Sequence, residues 1–418
     1  MTEPGYLELL RTNRVFRRLF AGEMVMFCGD WFSFISLVIL AGEATNNSPL
    51  AIAGVLAVRS FTFAPLDPVT GMLADRYSRR GLMIASSIFS FLVLVTVLTL
   101  DVIGDLGSVY ILAMALVVGR AIYDPAATSY LPNICSDEEL LTDNTLVSGG
   151  WSASMGIGAG IGGLTISQYG IETALWIDAL TFLFAALVIT TLPHGGPEAS
   201  EKRSASPVAM ISEIIEGWRY ILARPDIRRI VLAKGLWATG GGAQIFLLLL
   251  IGMEAGFVQV SSAIGILYLM RGFGSGFGPL VSRPLMSRPS VMPYLIGFAL
   301  SGAGAFYLGV AYFEWGVLTL ICVFVSHGCS GASWVFSTTI LQRRTADSWM
   351  GRVAGTDSLI ITLTMGISTI LAGYAMELEL LGLRDMLMLT GLIQISVGLL
   401  WLVQFSPREK EFMATTAT

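Results

Sequence analysis

The chain has 418 residues, 54% of them hydrophobic and only 13% charged, with a mean hydropathy of +0.71. A water-facing globular surface needs about 25% charged residues, so this composition excludes a soluble multidomain protein and points to a chain dissolved in lipid. The net charge of −5 leaves no basic excess for nucleic acid.

The chain opens with Arg11, Arg14, Arg17 and Arg18, followed by a long apolar run. That run is longer than a signal-peptide core and lacks a small-x-small cleavage site, so it is expected to be a retained first membrane helix. A spanning helix needs about 20 predominantly apolar residues. Such runs, each closed by Gly, Pro or charge, recur at 16–42, 50–74, 81–101, 107–131, 143–169, 171–192, 229–253, 258–283, 291–312, 315–340, 353–377 and 384–405. The expected fold is an all-α membrane protein of twelve transmembrane helices in two pseudo-symmetric six-helix bundles. Residues 1–192 form the first bundle and 193–227 a polar linker on the same side as the termini. Residues 228–418 form the second bundle and a short tail. Within the linker, 208–222 has amphipathic helical spacing and is expected to lie along the membrane surface.

Orientation follows from Lys and Arg. With both termini cytoplasmic, twenty of them fall on inner segments and Arg384 alone on an outer loop, out of 25 in all. The remaining four, Arg59, Arg120, Lys234 and Arg271, fall inside spans. The halves also echo each other: Leu131, Asp137 and Gly163 recur 210 positions later as Leu341, Asp347 and Gly373, as in parallel-repeat transporters. Cys28, Cys135, Cys322 and Cys329 have neither zinc spacing nor a disulfide context, and no cofactor or metal is expected.

The loop between the second and third spans reads Gly71, Met72, Leu73, Ala74, Asp75, Arg76, Tyr77, Ser78, Arg79, Arg80. It resembles the signature loop of the major facilitator superfamily, G-x-L-a-D-r-x-G-r-r/k, with Ser78 where Gly is usual. Independently of that resemblance, Gly71 is expected to allow close helix packing, and Asp75 with the arginines to form a charge cluster that holds one helix arrangement and releases another. Topology anchoring alone is the plainer reading. The likeness covers nearly the whole chain and is nearest to the enterobactin-exporter and macrolide-efflux branch. It is carried by Gly29-Asp30-Trp31, Leu131-Pro132 leading into Glu138-Glu139-Leu140, Asp178 to Phe182, and Leu341-Gln342 through Gly351-Arg352-Val353. Gly119-Arg120 resembles the superfamily's fourth-helix arginine motif, associated with proton coupling. Gly158, Gly160, Gly162 and Gly163 resemble the antiporter motif G-P-x-x-G-G, with Ala159 in place of the kink-forming Pro. The resemblance therefore favours export.

An ionisable group in hydrocarbon costs on the order of 3 kcal/mol unless paired or wet, so each one marks a cavity, a pair or an interface. In the fold the resemblance implies, the first and fourth helices line the central cavity. Asp30 with Arg120 is then the leading proton-coupling pair, against a static ion pair, with Arg59 as an alternative partner. Glu23 is a further proton-binding or vestibule candidate. Asp67, between Pro65 and Pro68, suggests a hydrated hinge. Asp124, four residues after Arg120, is on the same helix face, and the resemblance implies that it joins the signature-loop cluster. Asp178 is read as structural. Arg271, in a glycine-rich run, would attract an anionic substrate or pair with a carbonyl or carboxylate. Lys234 is expected to snorkel to the inner interface, and His327 to be a titrating group or a buried neutral ring. Trp31, Phe34, Tyr123, Trp151, Trp237, Gln244 and Trp334 are candidates for an aromatic and polar substrate lining.

Neither a Walker motif nor HExxH or GxSxG is present, which argues against ATP-driven transport and against an enzyme. The reading is a monomeric secondary active exporter in a bacterial inner membrane, moving a siderophore or other drug-like amphipathic molecule by proton antiport and alternating access. A lysophospholipid transporter and a non-transporting sensor are the alternatives.

Overall fold

The computed structural model describes residues 5–136, 139–194, 207–256, 258–286, 288 and 290–416, and every regular element among them is helical. The first half contains α1 (Tyr6–Thr12), α2 (Arg14–Ala44), α3 (Pro49–Arg76), α4 (Arg79–Leu100), α5 (Leu106–Ile134) and α6 (Leu140–Thr190). A linker helix α7 (Pro207–Ala223) leads to α8 (Pro225–Glu254), α9 (Val260–Met286), α10 (Met292–Tyr312), α11 (Val317–Arg344), α12 (Asp347–Glu377), α13 (Leu383–Leu400) and, after a π-helical turn, α14 (Ser406–Thr416).

The helix starts are set by polar caps, which satisfy N–H groups that the helix leaves unpaired. Asn13 accepts from the Phe16 N–H at 3.0 Å, Ser48 from Ala51 at 3.2 Å and Asp105 from Ser108 at 2.8 Å. Ser78, the departure from the superfamily loop, caps α4 by accepting from Gly81 N–H at 3.2 Å.

Among the described residues, eleven helices are long and apolar enough to cross a membrane, and α6 is long enough to cross twice. Its 51 residues would extend about 76 Å as one rod, more than twice a hydrocarbon core of about 30 Å. Gly170, at φ +85°, breaks it. Before the break, Gly158 lies against Cys28 and Gly162 against Phe32, so this arm runs parallel to α2. After it, Asp178 meets Ser33 and Val188 meets Gly22, so the second arm runs back. The chain is a multi-pass membrane protein of twelve passes, and side chains such as Ile111, Leu187 and Leu392 are left exposed for lipid.

The first and last described helices, α1 and α14, lie at one end of the bundle, here the terminal face. Asn13 donates to Ile134 O at 2.8 Å, and Glu409 on α14 holds Arg229 at 2.8 Å and Arg344 at 2.5 Å. The linker helix docks on the same face: Glu216 reaches Arg352 at 3.4 Å, and Gly217 seats against the Arg352 carbonyl. Its Ile215, Trp218 and Leu222 stay exposed.

The two halves meet through α6 with α9 and α3 with α12. Ser48 donates to Glu377 at 2.6 Å, Gly373 seats against Ala53, and Gly163 against Ser261 and Gly265. These contacts lie toward the far face. There one continuous apolar core takes in the first half together with Phe246–Ile251, Ile264, Leu267, Tyr268, Leu383, Met386 and Leu387 of the second. On the terminal face the second half has a separate core, drawn from residues between Ile221 and Phe405. The bundles are thus fused at the far face and divided at the terminal face.

The glycines of the first arm of α6 explain how one helix serves both bundles. A Cβ on Gly158 would sit 2.6 Å from Cys28 O, and one on Gly162 3.3 Å from Phe32 Cα, both in the first bundle. One on Gly160 would sit 2.7 Å from the Leu269 side chain, and Gly163 faces Ser261 O, both in the second. Gly71 corrects the sequence expectation: nothing lies within 4 Å of its would-be Cβ, so it mediates no close packing in this structure. Gly158→Val is expected to destabilise the protein by about 1–3 kcal/mol through overpacking, whereas Gly71→Ala should change stability by less than about 0.5 kcal/mol. Thermal unfolding in detergent distinguishes the two.

Candidate functional site

Arg120 of α5 joins two carboxylates. It forms an ion pair with Asp30 of α2, and its Nε lies 2.6 Å from Asp124 Oδ1, one turn along its own helix. Its guanidinium carbon stands 4.1 Å from the Phe27 ring centroid, a cation–π contact. The side chains of Asp30 and Arg120 are each 22% exposed and that of Asp124 34%, so the cluster faces open space although helices surround it. Gly119 permits this placement: a Cβ there would collide with Ser90 Oγ of α4, so the close α4–α5 approach needs a glycine. Glu23 is buried on α2, with Asp124 and Arg120 as electrostatic neighbours. Buried Tyr123 has a hydroxyl with no hydrogen-bond partner among the described residues.

The expected Asp30–Arg120 pair is therefore present. Asp124 pairs with Arg120 and not with the signature-loop arginines, which act as carbonyl clamps. Arg79 donates to Ser129 O at 2.8 Å and to Asn133 Oδ1 at 3.0 Å; Arg80 donates to Ile189 O at 3.1 Å and to Thr190 O. Cationic groups belong there because helix C-termini carry partial negative charge. Arg76 is exposed, and the Asp75 side chain lies outside the described residues. Asp67 lies in a helix that continues through Pro65 and Pro68.

Two separated sequence motifs meet at Asp178. Fully buried on the second arm of α6, it accepts from Ser33 of α2 and from Thr181 Oγ1 at 3.2 Å. A Cβ on Gly29 would run into Thr181 Oγ1 and Asp178 Oδ1. The Gly29-Asp30-Trp31 motif thus places a glycine to admit Asp178 and a carboxylate to meet Arg120.

Trp31 and Phe34 pack on Tyr268 of α9, with ring centroids 5.4 and 5.7 Å away, and form an aromatic cluster across the two bundles. Arg59 lies 5.3 Å from the Phe34 centroid and Arg271 5.3 Å from that of Tyr268. Arg271 also approaches Met155 Sδ of α6 at 3.0 Å.

The second bundle has its own buried ion pair, Lys234 of α8 with Asp357 of α12, and Lys234 Nζ lies 4.6 Å from the Trp334 ring centroid. Lys234 therefore does not snorkel to the interface. A buried carboxylate is a stronger partner than distant water. Sequence reasoning misses Asp357, although a lone carboxylate just inside the eleventh predicted span is a readable signal. Trp237 donates weakly to Ser330 Oγ at 3.5 Å and stands 5.9 Å from Trp334, centroid to centroid. Trp334 and Trp151 are exposed, whereas Phe34 and Tyr123 are buried.

Gln244 and His327 correct the expected lining. Gln244 Oε1 accepts from Gln394 of α13 at 2.8 Å, its backbone carbonyl accepts from Tyr307 of α10, and Tyr307 also meets His327 Nε2 at 3.1 Å. Buried polar atoms seek partners, and these hydrogen bonds lie inside the second bundle; Gln244 Nε2 has no partner among the described residues, and Tyr307 and His327 are electrostatic neighbours of Arg271.

Comparison with known proteins gives one coherent answer. The family model of the Major Facilitator Superfamily matches residues 19–368. The chain is 22% identical over 405 residues to the uncharacterized MFS-type transporter YfiS of Bacillus subtilis strain 168, covering 94% of each. It is 23% identical over 356 residues to the enterobactin exporter EntS of Escherichia coli O1:K1, covering 84% of this chain and 82% of that one. In fold it is similar to a variant of the nucleoside transporter NupG, with a TM-score of 0.74 at 14% identity and coverage of 94% and 100%. It is also similar to the POT family transporter PepTSo, with a TM-score of 0.72 at 10% identity and coverage of 96% and 99%. These relatives and neighbours are transporters, not enzymes.

The Lys234–Asp357 pair yields a stability prediction. Asp357→Leu strands a buried ammonium and should cost about 3–5 kcal/mol, while Lys234→Met with Asp357→Leu should recover most of that loss. Unfolding of the single and double variants in detergent measures the coupling, and strictly additive losses would deny that the two charges act as a pair.

Proposed function

The chain belongs to the Major Facilitator Superfamily, and from that premise we propose that it is a secondary active exporter of an amphipathic small molecule. It works by alternating access in a bacterial inner membrane and is driven by proton antiport. Transport itself rests on the family. Export is supported by the likeness to the enterobactin exporter and by the glycine motif of α6. Cytoplasmic termini are supported by the twenty Lys and Arg that map to that side. With that orientation, the gap between the bundles opens to the cytoplasm, where an exporter loads.

The observation that carries the antiport reading is the Asp30–Arg120–Asp124 cluster. One guanidinium serves two carboxylates at a partly exposed point between helices. When the gap closes and hydration changes, the balance between desolvation and Coulomb attraction at Asp30 changes too, and a proton moves on or off. Arg120 retains Asp124 when Asp30 is neutralised, so the charge that remains is paired at every stage of the cycle. Siderophore or drug-like cargo would sit against the aromatic side chains between the bundles, with Trp151, Trp237 and Trp334 nearer the terminal face.

Everted membrane vesicles test this. Uptake of enterobactin, a macrolide or a lysophospholipid should rise when a proton gradient is imposed and fall at least about tenfold when the gradient is collapsed. Asp30→Asn should remove the gradient dependence while the protein still folds, because Arg120 keeps Asp124. Gradient-driven uptake at the parent rate in that variant would remove Asp30 from coupling, and uptake indifferent to the gradient would argue against antiport altogether.

A further inference from the structure

Four basic side chains lie inside the membrane spans, and their partners divide them into two kinds. Arg120 has Asp30 and Asp124, and Lys234 has Asp357. Among the described residues, no carboxylate stands within ion-pair distance of Arg59 or Arg271. An unpaired guanidinium in hydrocarbon is expensive, and Arg271 is the more poorly served. Its Nη1 meets only a thioether sulfur, a weak acceptor, and its Nε is buried with no hydrogen-bond partner. A cost that the protein does not offset from its own residues points to a partner that arrives from outside.

The surroundings describe that partner. Arg271 stands beside Tyr268, Tyr268 packs on Trp31 and Phe34 from the other bundle, and Arg59 stands beside Phe34. The order is cation, aromatic cluster, cation, with one arginine supplied by each bundle. Arginine offers a planar fork to a carboxylate and a flat face to a ring. The backbone comes equally close here, since a Cβ on Gly272 would lie 2.5 Å from Gly156 N. The site therefore lies on the contact between bundles, where a bound molecule touches both.

We propose that Arg271, with Arg59 opposite, forms an anion-binding end of the cargo site, and that the cargo is an aromatic molecule bearing a negatively charged group. This rests on the transporter reading above and narrows its substrate class. The negative group meets Arg271, and the ring lies against the Trp31 edge of the cluster. Because the two arginines belong to different bundles, an anion drawn to both favours the arrangement that keeps them close. Binding at this site and proton exchange at Asp30 then involve different side chains.

The test uses the full chain in nanodiscs of phosphatidylcholine, which add no anionic lipid, and isothermal titration with 2-naphthoate and its neutral isostere 2-naphthamide. Naphthoate should bind at least about tenfold more tightly than the amide, the scale of a charge-assisted hydrogen bond, and its affinity should fall with added salt. Arg271→Gln should erase that preference by weakening naphthoate binding far more than amide binding, and Arg271→Lys should restore part of it. Arg59→Gln should reduce the preference by a smaller factor and supplies the readout if the Arg271 variant does not fold. Equal affinity for acid and amide, binding of neither, or a preference that survives Arg271→Gln would overturn the proposal. Lysophosphatidylglycerol binding tightly through Arg271 while naphthoate does not would also overturn it, in favour of a lipid headgroup. Since no gradient is present, a failure of antiport leaves this result intact. Gradient-driven uptake of neutral cargo alone would uphold transport and remove the anion site.

Discussion

An arginine in the middle of a bilayer must either bring its counter-charge or stay wet, and Arg120 does both. It joins carboxylates from two helices, lies over the Phe27 ring and remains partly open to the gap. Much around it follows from holding that guanidinium in place. Gly119 exists to let α4 pack behind it. Gly29 lets the second arm of α6 come close enough for Asp178 to be held by Ser33 and Thr181, which fixes the register of α2 and hence of Asp30. The charge node is thus held by four helices, α2, α4, α5 and α6, whose separations are set by the absence of side chains, because lipid supplies no hydrophobic force to press helices together.

The same economy governs how the halves meet. A bundle that rocks needs a contact that is close yet free of interlocking side chains. The first arm of α6 provides one by presenting glycines on two faces. Gly158 and Gly162 fasten it to its own bundle, while Gly160 and Gly163 lie on the other. On α9 the matching surface is again small, at Gly265, Gly272 and Gly276. Ala159 in place of the proline expected there leaves the N–H in place, so the arm stays an uninterrupted helix up to Gly170. The kink at that point is what a twelve-pass chain requires and what a helix-length criterion alone overlooks.

Most of the fold was legible because lipid allows few solutions: apolar runs of the right length must be helices, and basic residues mark one side. The Asp30–Arg120 pair was legible for the same reason, since an unpaired charge is costly and the partners are few. Other features were not. Gly71 sits in a recognisable motif, but whether a glycine is packed depends on which helix faces it, and none does so within 4 Å. Ser78 looks like a deviation until the α4 cap is seen. Lys234 and Asp357 are 123 positions apart, and only the packing of α8 on α12 brings them together. Gln244 and His327 are polar residues in spans, which sequence logic sends to a wet path. Instead they satisfy each other's neighbours through Gln394 and Tyr307 inside one bundle.

The charges along the gap are unevenly shared, and this bears on how coupling and cargo binding coexist. In the first bundle, Asp30 and Asp124 compete for one guanidinium, with buried Glu23 close by. In the second, Lys234 and Asp357 cancel and Arg271 is left over. The first bundle is therefore rich in carboxylates and also carries Arg59, while the second carries Arg271; among the described residues neither arginine has a carboxylate within ion-pair distance. On the proposed reading, protons bind the carboxylates of the first bundle, and a negative cargo group meets Arg271 of the second with Arg59 of the first opposite. A proton and a negative cargo group attract, so charge repulsion between the two cannot be what makes them exchange under the proposed antiport. Exchange instead requires that each arrangement of the bundles admits only one of the two ligands, a coupling carried by the conformational equilibrium and needing no shared residue.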